Sequence, residues 1–166
     1  RGADVSLAFN GELGGGRWTA SIDGSYIDSH RSRIFVSQPM QETVGRWNSR
    51  DLFLRWKHLL QLGYQRDDWS FSLHHQYAAG YDDQVPLGAV PPNFDRKVDA
   101  YSIYGLSAIY SGIDNLTVNL GIKNLFDTDP PFTAHNVDFA AGAGWDPRIA
   151  DPRGRAYTLG LSYRFF

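Results

Sequence analysis

Apolar and polar residues alternate with a period of two along about seven stretches of this chain, the spacing of strands with one greasy and one wet face. In the first, Val5, Leu7 and Phe9 share a face and Asp4, Ser6 and Asn10 share the other. A Gly-rich turn at residues 11–16 leads into Trp18, Ala20, Ile22, Gly24 and Tyr26, set against Thr19, Ser21, Asp23 and Ser25. The third and fourth stretches read as a hairpin. Leu52, Leu54, Trp56, His58, Leu60, Leu62 and Tyr64 alternate with Arg55, Lys57 and Gln61, and after Arg66, Asp67 and Asp68 the pattern resumes in Trp69, Phe71, Leu73, His75 and Tyr77. With those three residues as the turn, Tyr64 faces Trp69, Leu60 faces Leu73, and His58 and His75 are direct cross-strand neighbours. Tyr104, Leu106, Ala108 and Tyr110 form the fifth face, and a short turn at residues 111–115 leads to Leu116, Val118, Leu120 and Ile122. Tyr157, Leu159, Leu161, Tyr163 and Phe165 end the chain.

The connections are alternately short and long, the long ones at residues 28–49, 80–99 and 127–153. A soluble sandwich has no physical reason for that rhythm, whereas a membrane barrel has short turns at one rim and long loops at the other. Phe9, Trp18, Tyr64, Trp69, Tyr110 and Phe165 sit at the short-turn ends of the apolar faces, and Tyr26, Trp56, Tyr77, Tyr104, Phe126 and Tyr157 at the long-loop ends. Pairs such as Trp18 and Tyr26 lie about 20 Å apart along a tilted strand, close to the apolar band between two aromatic girdles. The expected fold is all-β: about seven strands of an antiparallel, up-and-down transmembrane β-barrel, occupying residues 1–166. Val5, Leu7, Trp18, Ile22, Leu54, Leu60, Leu62, Phe71, Leu73, Leu106, Val118, Leu120, Leu159 and Leu161 are expected to meet lipid. Arg55, Lys57, Gln61, Ser72, Gln76, Asn119 and Lys123 are expected to face inward.

Composition narrows this further. The 166 residues include no Cys, which excludes thiol chemistry, and the net charge of −2 argues against a nucleic-acid partner. No run of 18 apolar residues exists to make a membrane helix, a test that strands escape. The chain starts at Arg1 without an initiator Met or signal peptide, and a fragment is expected.

The densest signature lies near the end. A strand at 116–123 runs into Asn124, Leu125, Phe126 and Asp127; the last loop closes on Pro152, Arg153, Gly154 and Arg155; the final strand ends through Tyr163 and Phe165. This order resembles the C-terminus of TonB-dependent outer-membrane receptors, with Phe166 as one residue beyond the family's terminal aromatic. The resemblance is specific over about residues 100–166. It implies an active transporter in the Gram-negative outer membrane that takes up a scarce large ligand of the ferric siderophore, cobalamin or glycan class. It also implies upstream barrel strands, a plug domain and a TonB partner. A passive porin, or a barrel with its own hydrolase activity, shares the girdle and loop arguments, and a soluble β-sandwich binding module needs its two apolar faces to pack together.

No cofactor, metal or catalytic constellation is read from the chain. His74 and His75 point to opposite faces, and His58 with His75 is one ligand pair without a third. His135, Asp138, Trp145, Asp146, Arg148, Asp151, Arg153 and Arg155 read as a solvated loop tethered by ion pairs, with Asp151 and Arg153 shaping its base. Ligand contacts are expected from aromatic and cationic residues of the long loops: Arg31, Arg33, Trp47, Tyr81, Phe94, His135 and Trp145.

Overall fold

The computed structural model describes residues 1–33, 35–48, 50–84, 96–134 and 144–165. These contain eleven strands: β1 (Gly2–Leu13), β2 (Gly16–Ile27), β3 (Arg31–Ser32), β4 (Gln41–Glu42), β5 (Trp56–Arg66), β6 (Trp69–Ala78), β7 (Tyr81–Asp82), β8 (Lys97–Val98), β9 (Tyr101–Ile113), β10 (Leu116–Lys123) and β11 (Ala156–Tyr163). Seven of them form one antiparallel sheet in the order β1-β2-β5-β6-β9-β10-β11, each paired with its neighbour along the chain. Among the described residues β1 and β11 do not pair with each other and stand at the two edges. The remaining strands make two small hairpins, β3-β4 and β7-β8, inside the first and second long connections.

The turns are tighter than expected and the strands correspondingly longer. Leu13 pairs with Gly16, so the Gly-rich reversal is the two residues Gly14 and Gly15, at φ of 59° and 80°, where only a residue without Cβ is at ease. At β5-β6, Arg66 pairs with Trp69, and Asp67 takes the positive φ of 50° that Asp tolerates. Arg66 is therefore part of the ladder and not of the turn, which moves the register by two residues. Leu60 lies opposite His75, Leu62 opposite Leu73, and His58 opposite Tyr77. His58 and His75 are diagonal neighbours, not the direct pair expected. A two-residue slip leaves every side chain on its expected face, because the pleat also has a period of two.

That face assignment holds across the sheet. Ladder pairs such as Trp18 with Tyr64, Ile22 with Leu60, Leu73 with Leu106, Ala108 with Leu120 and Leu120 with Leu159 join the apolar residues into one surface. The other surface pairs Ser25 with Lys57, Gln61 with His74, Ser72 with Ser107 and Asn119 with Gly160. Leu7, Leu62, Phe71, Leu106, Leu120, Leu159 and Leu161 are exposed, so the apolar surface packs on no other part of the described chain. The two-layer packing of a sandwich is absent among the described residues.

Leu54 breaks the expectation. Strand β5 begins at Trp56, two residues later, and Leu54 is buried with Tyr81 and Val98 instead of facing lipid. A bend at Arg55 ends the alternation there, and Arg55 itself reaches the Asp28 carbonyl at 3.4 Å. The described buried apolar residues thus sit at the long-loop end of the sheet, where three connections converge. Leu54, Tyr81 and Val98 form one cluster with Trp47, Leu52, Ala78 and Ile149 packed around it. Tyr101, Ile103 and Ala150 form a second, touched by Trp145 and again by Ala78 and Ile149. Tyr101 and Ile103 lie on the polar face of β9, so the last loop folds back over the polar face of the sheet.

Candidate functional site

The long loops are held together as one body. The first and second are joined where the Trp47 N–H donates to the Asp82 carbonyl and the Asp82 N–H donates to Gly45, both at 2.8 Å. The second and third meet at Asp83, whose buried carboxylate accepts the Thr133 hydroxyl at 2.5 Å and the Ala134 N–H at 2.7 Å. The third returns to the first through Arg148, which donates to the Asn48 carbonyl at 2.7 Å while its fork grips Asp146. Burial and the nearby Asp146 charge push the Tyr81 phenol up, so it stays neutral inside this body.

Within the first loop the organising group is Glu42, which the strand pattern does not single out. Its carboxylate accepts the Ser29 hydroxyl at 2.6 Å and the His30, Thr43 and Val44 N–H groups. These bonds, led by Ser29 and then His30, lower its pKa to about 2. Its one signal in the sequence is a carboxylate beside a Thr in a polar stretch, and nothing local says which N–H groups will fold around it.

The terminal motif turns out to be a clip. Asn124 is buried with φ of 52°; its amide donates to the Thr128 carbonyl and accepts the Thr128 N–H, both at 2.9 Å. Leu125 N–H donates to Tyr104 on β9 at 2.7 Å, and Phe126 packs edge-on against the Tyr104 ring at 5.3 Å. Asp127, at φ of 57°, accepts the Arg155 N–H at 2.6 Å. Gly154, at φ of 66°, lies so close that a Cβ would come within 2.8 Å of the Asp127 carboxylate. Pro152 precedes Arg153, which chelates Asp151 together with Lys123, and these cations hold the Asp151 carboxyl well below the usual range, Arg153 contributing most. Tyr163 and Phe165 pack edge-to-face at 5.0 Å at the other rim. The expected ion-pair tethering of the last loop is what is found at Asp146, Arg148, Asp151 and Arg153.

The residues expected to contact a ligand fall into separate groups. Arg31 lies on the β3-β4 hairpin, 3.8 Å from Glu42, and Arg33 donates to the Val36 carbonyl at 3.0 Å; both are exposed. Trp47 and Trp145 pack against the two clusters, and Tyr81 is 5% exposed at the centre of one. Phe94 and His135 lie outside the described residues. Sequence patterning misses Phe35, Val36, Met40 and Phe132, which are exposed on the loops. Arg96 sits over the Phe132 ring at 4.8 Å.

On the apolar surface one polar chain stands out. The Trp56 indole N–H donates to His58 Nδ1 at 2.8 Å, His58 Nε2 meets His75 Nδ1 at 3.3 Å, and His75 Nε2 meets the Ser102 hydroxyl at 2.8 Å. An indole can only donate, which assigns the remaining protons: His58 Nδ1 is bare and Nε2 carries its proton, so His75 accepts at Nδ1 and donates from Nε2 to Ser102. Acyl-transfer chemistry needs the opposite polarity, with a bare nitrogen facing the serine. The same protonation keeps His58 Nε2 from binding a metal, and no group of three metal ligands occurs among the described residues.

Set against known proteins, the chain matches no family model and no curated protein. Solved structures do match. Two forms of the ferric enterobactin receptor of Pseudomonas aeruginosa, one carrying a G324V substitution and one a Q482A substitution in complex with enterobactin, each superpose on 98% of this chain with a TM-score of 0.58 and 19% identity. The chain spans 22% of the length of those receptors. The fold is thus that of a segment of the barrel wall in those receptors.

Proposed function

We propose that this chain is the C-terminal part of a TonB-dependent outer-membrane receptor that actively imports a large, scarce ligand of the ferric siderophore class. The single observation that carries the reading is the seven-strand meander, whose apolar surface lies between two aromatic girdles and whose connections are alternately two residues long and long enough to fold. The clip of Asn124, Asp127 and Gly154 adds the terminal motif in working geometry, and the likeness to a ferric enterobactin receptor supports the ligand class. In this reading the apolar surface meets outer-membrane lipid, the edges β1 and β11 pair with further strands of the same barrel, a plug domain fills the lumen, and TonB supplies the energy. Arg31, Arg33, Phe35, Val36, Met40 and Phe132 offer the exposed contact surface for an anionic, ring-bearing ligand, while Trp47, Tyr81 and Trp145 hold that surface in shape.

The test is uptake by cells. Cells that depend on the full-length protein should accumulate ferric siderophore in competition assays, and should lose uptake when the inner-membrane energy complex is deleted. Arg31→Ala combined with Arg33→Ala should weaken ligand binding without changing protein abundance. Uptake that persists without the energy complex would identify a passive pore and overturn the reading.

A further inference from the structure

Where the apolar surface crosses β9, β10 and β11 it is not smooth. One cross-strand row runs Leu106, Ile122 and Tyr157, and the next, two residues nearer the short turns, runs Ala108, Leu120 and Leu159. Between the rows lies only backbone, centred on Gly121, and the two rows wall a groove of about 470 Å³. Ala108 deepens it. Its ladder neighbours are Phe71 on β6 and Leu120 on β10, and its single methyl falls short of both large side chains. Leu106, Leu120, Tyr157 and Leu159 are exposed, so nothing in the described chain fills the groove. The one side-chain polar atom in the two rows is the Tyr157 hydroxyl.

At the β11 end of the groove stands a cation. Arg155 precedes the strand by one residue and shares the parity of Tyr157, which puts it on the same side, at the level of the long-loop girdle. It is exposed, and its guanidinium interacts most strongly with the Tyr157 side chain and less with the Asp127 charge. Asp127 is itself occupied by the Arg155 N–H. Of the two arginines at the loop base, Arg153 is held by Asp151, and Arg155 is the one beside the groove.

These two features ask for different chemistry. An unfilled groove on a hydrocarbon-facing surface forfeits dispersion contacts along both walls, and a flexible chain restores them best. A guanidinium at the membrane interface is best matched by a two-oxygen anion such as phosphate, which its fork bonds bidentately. An amphiphile meets both demands at once, and a bilayer presents one at this depth.

We propose that the groove over β9, β10 and β11 is a lipid site: one acyl chain of a phosphorylated membrane lipid lies between the two rows and reaches the Ala108 notch, while its phosphate is held by Arg155 beside Tyr157. The site rests on the lipid-facing part of the receptor reading, and not on its ligand or its energy coupling.

The test titrates the full-length protein, in neutral detergent, with dilauroyl phosphatidic acid or with the dilauroyl diacylglycerol that lacks only the phosphate, and counts bound lipid by native mass spectrometry. Phosphatidic acid should be retained as a single tight molecule, and diacylglycerol about tenfold more weakly. Arg155→Gln keeps the backbone N–H on Asp127 and should lower the affinity for phosphatidic acid toward that of diacylglycerol. Ala108→Phe fills the notch from a surface position and should reduce retention of both lipids. Leu7→Phe, on β1 of the same surface, should change neither. Equal affinity for the two lipids, indifference to Arg155→Gln or to Ala108→Phe, or an equal loss in Leu7→Phe would each overturn the proposal. Displacement of phosphatidic acid by inorganic phosphate alone, or a lipid-free dimer formed through this face, would overturn it as well. A protein that proved to be a passive pore would leave these outcomes untouched, and a failed lipid titration would leave uptake untouched, so the two readings fail separately.

Discussion

The carboxylate of Asp127 accepts the backbone N–H of Arg155 at 2.6 Å and closes the last long loop at its base, across 28 residues of chain. Both ends of this contact need special backbone: Asp127 is at φ of 57° and Gly154 at φ of 66°. Asp127→Ala removes the acceptor, about 1 kcal/mol, and places Ala in the left-handed region, about 1 kcal/mol more. Asp127→Asn keeps the backbone preference and should cost less than half as much. Gly154→Ala should match or exceed Asp127→Ala, because its Cβ meets the carboxylate as well. Denaturant midpoints of the full-length protein should rank the variants in that order, and equal midpoints for Asn and Ala at position 127 would show that the backbone conformation does not matter.

Glu42 makes the first loop acid-sensitive. Its pKa in the fold is about 2, below the ordinary 4.5, because Ser29 and the His30 N–H favour the charged form. A depressed carboxylate contributes its full stability above the unfolded value and loses it as pH falls through the folded one. The β3-β4 hairpin should therefore be protected above about pH 4.5 and open progressively toward pH 2. Hydrogen exchange at the His30, Thr43 and Val44 amides reads this directly. In Glu42→Gln one acceptor oxygen remains but the charge is gone, so the His30 and Val44 amides should be less protected at neutral pH and show no further acid step.

Much of the wall is legible in the amino-acid sequence because a period-two pattern carries face and strand number together. The face of His58, Leu60 and Gln61 follows from parity alone, which is why a register wrong by two residues leaves each on the right side. The register itself is not legible: whether Arg66 turns or pairs depends on how Asp67 bends, and a positive φ at an Asp is compatible with either count. The place of Leu54 is hidden for a related reason, since the alternation continues in sequence through a bend that the backbone makes at Arg55. The loop body is illegible in principle. Asp83 with Thr133 and Arg148 with Asn48 are contacts between residues 50 and 100 positions apart, and no local rule selects them.

The two surfaces of the wall predict opposite tolerance to charge. Leu62 and Leu73 face one another on the apolar surface, while the adjacent Gln61 and His74 lie on the polar surface. Leu62→Arg should cost about 2–4 kcal/mol if that position lies near the bilayer midplane, and Gln61→Arg should cost little. Folding yields into lipid vesicles across a urea series separate the two. Equally small costs at both positions would mean that the apolar surface does not face lipid.

The last prediction concerns how the loops act as one body. Asp83 is 8% exposed and Thr133 is 1% exposed, so their 2.5 Å hydrogen bond and the 2.7 Å bond from the Ala134 N–H lie out of water. A buried donor deprived of its acceptor loses about 1–3 kcal/mol, more than the bond contributes in net terms, because water no longer compensates it. Asp83→Ala deprives two donors at once and should release the third loop from the second. Asp83→Asn keeps one acceptor oxygen, and Thr133→Val removes one donor without stranding the other, so each should cost less. Combining Asp83→Ala with Thr133→Val should cost less than the sum of the singles, since both remove the same Asp83–Thr133 bond. Hydrogen exchange at the Ala134 amide measures the local opening. Protection there that survives Asp83→Ala would mean that other contacts, Arg148 with Asn48 and Arg96 over Phe132 among them, hold the third loop, and that Asp83 does not join the loops.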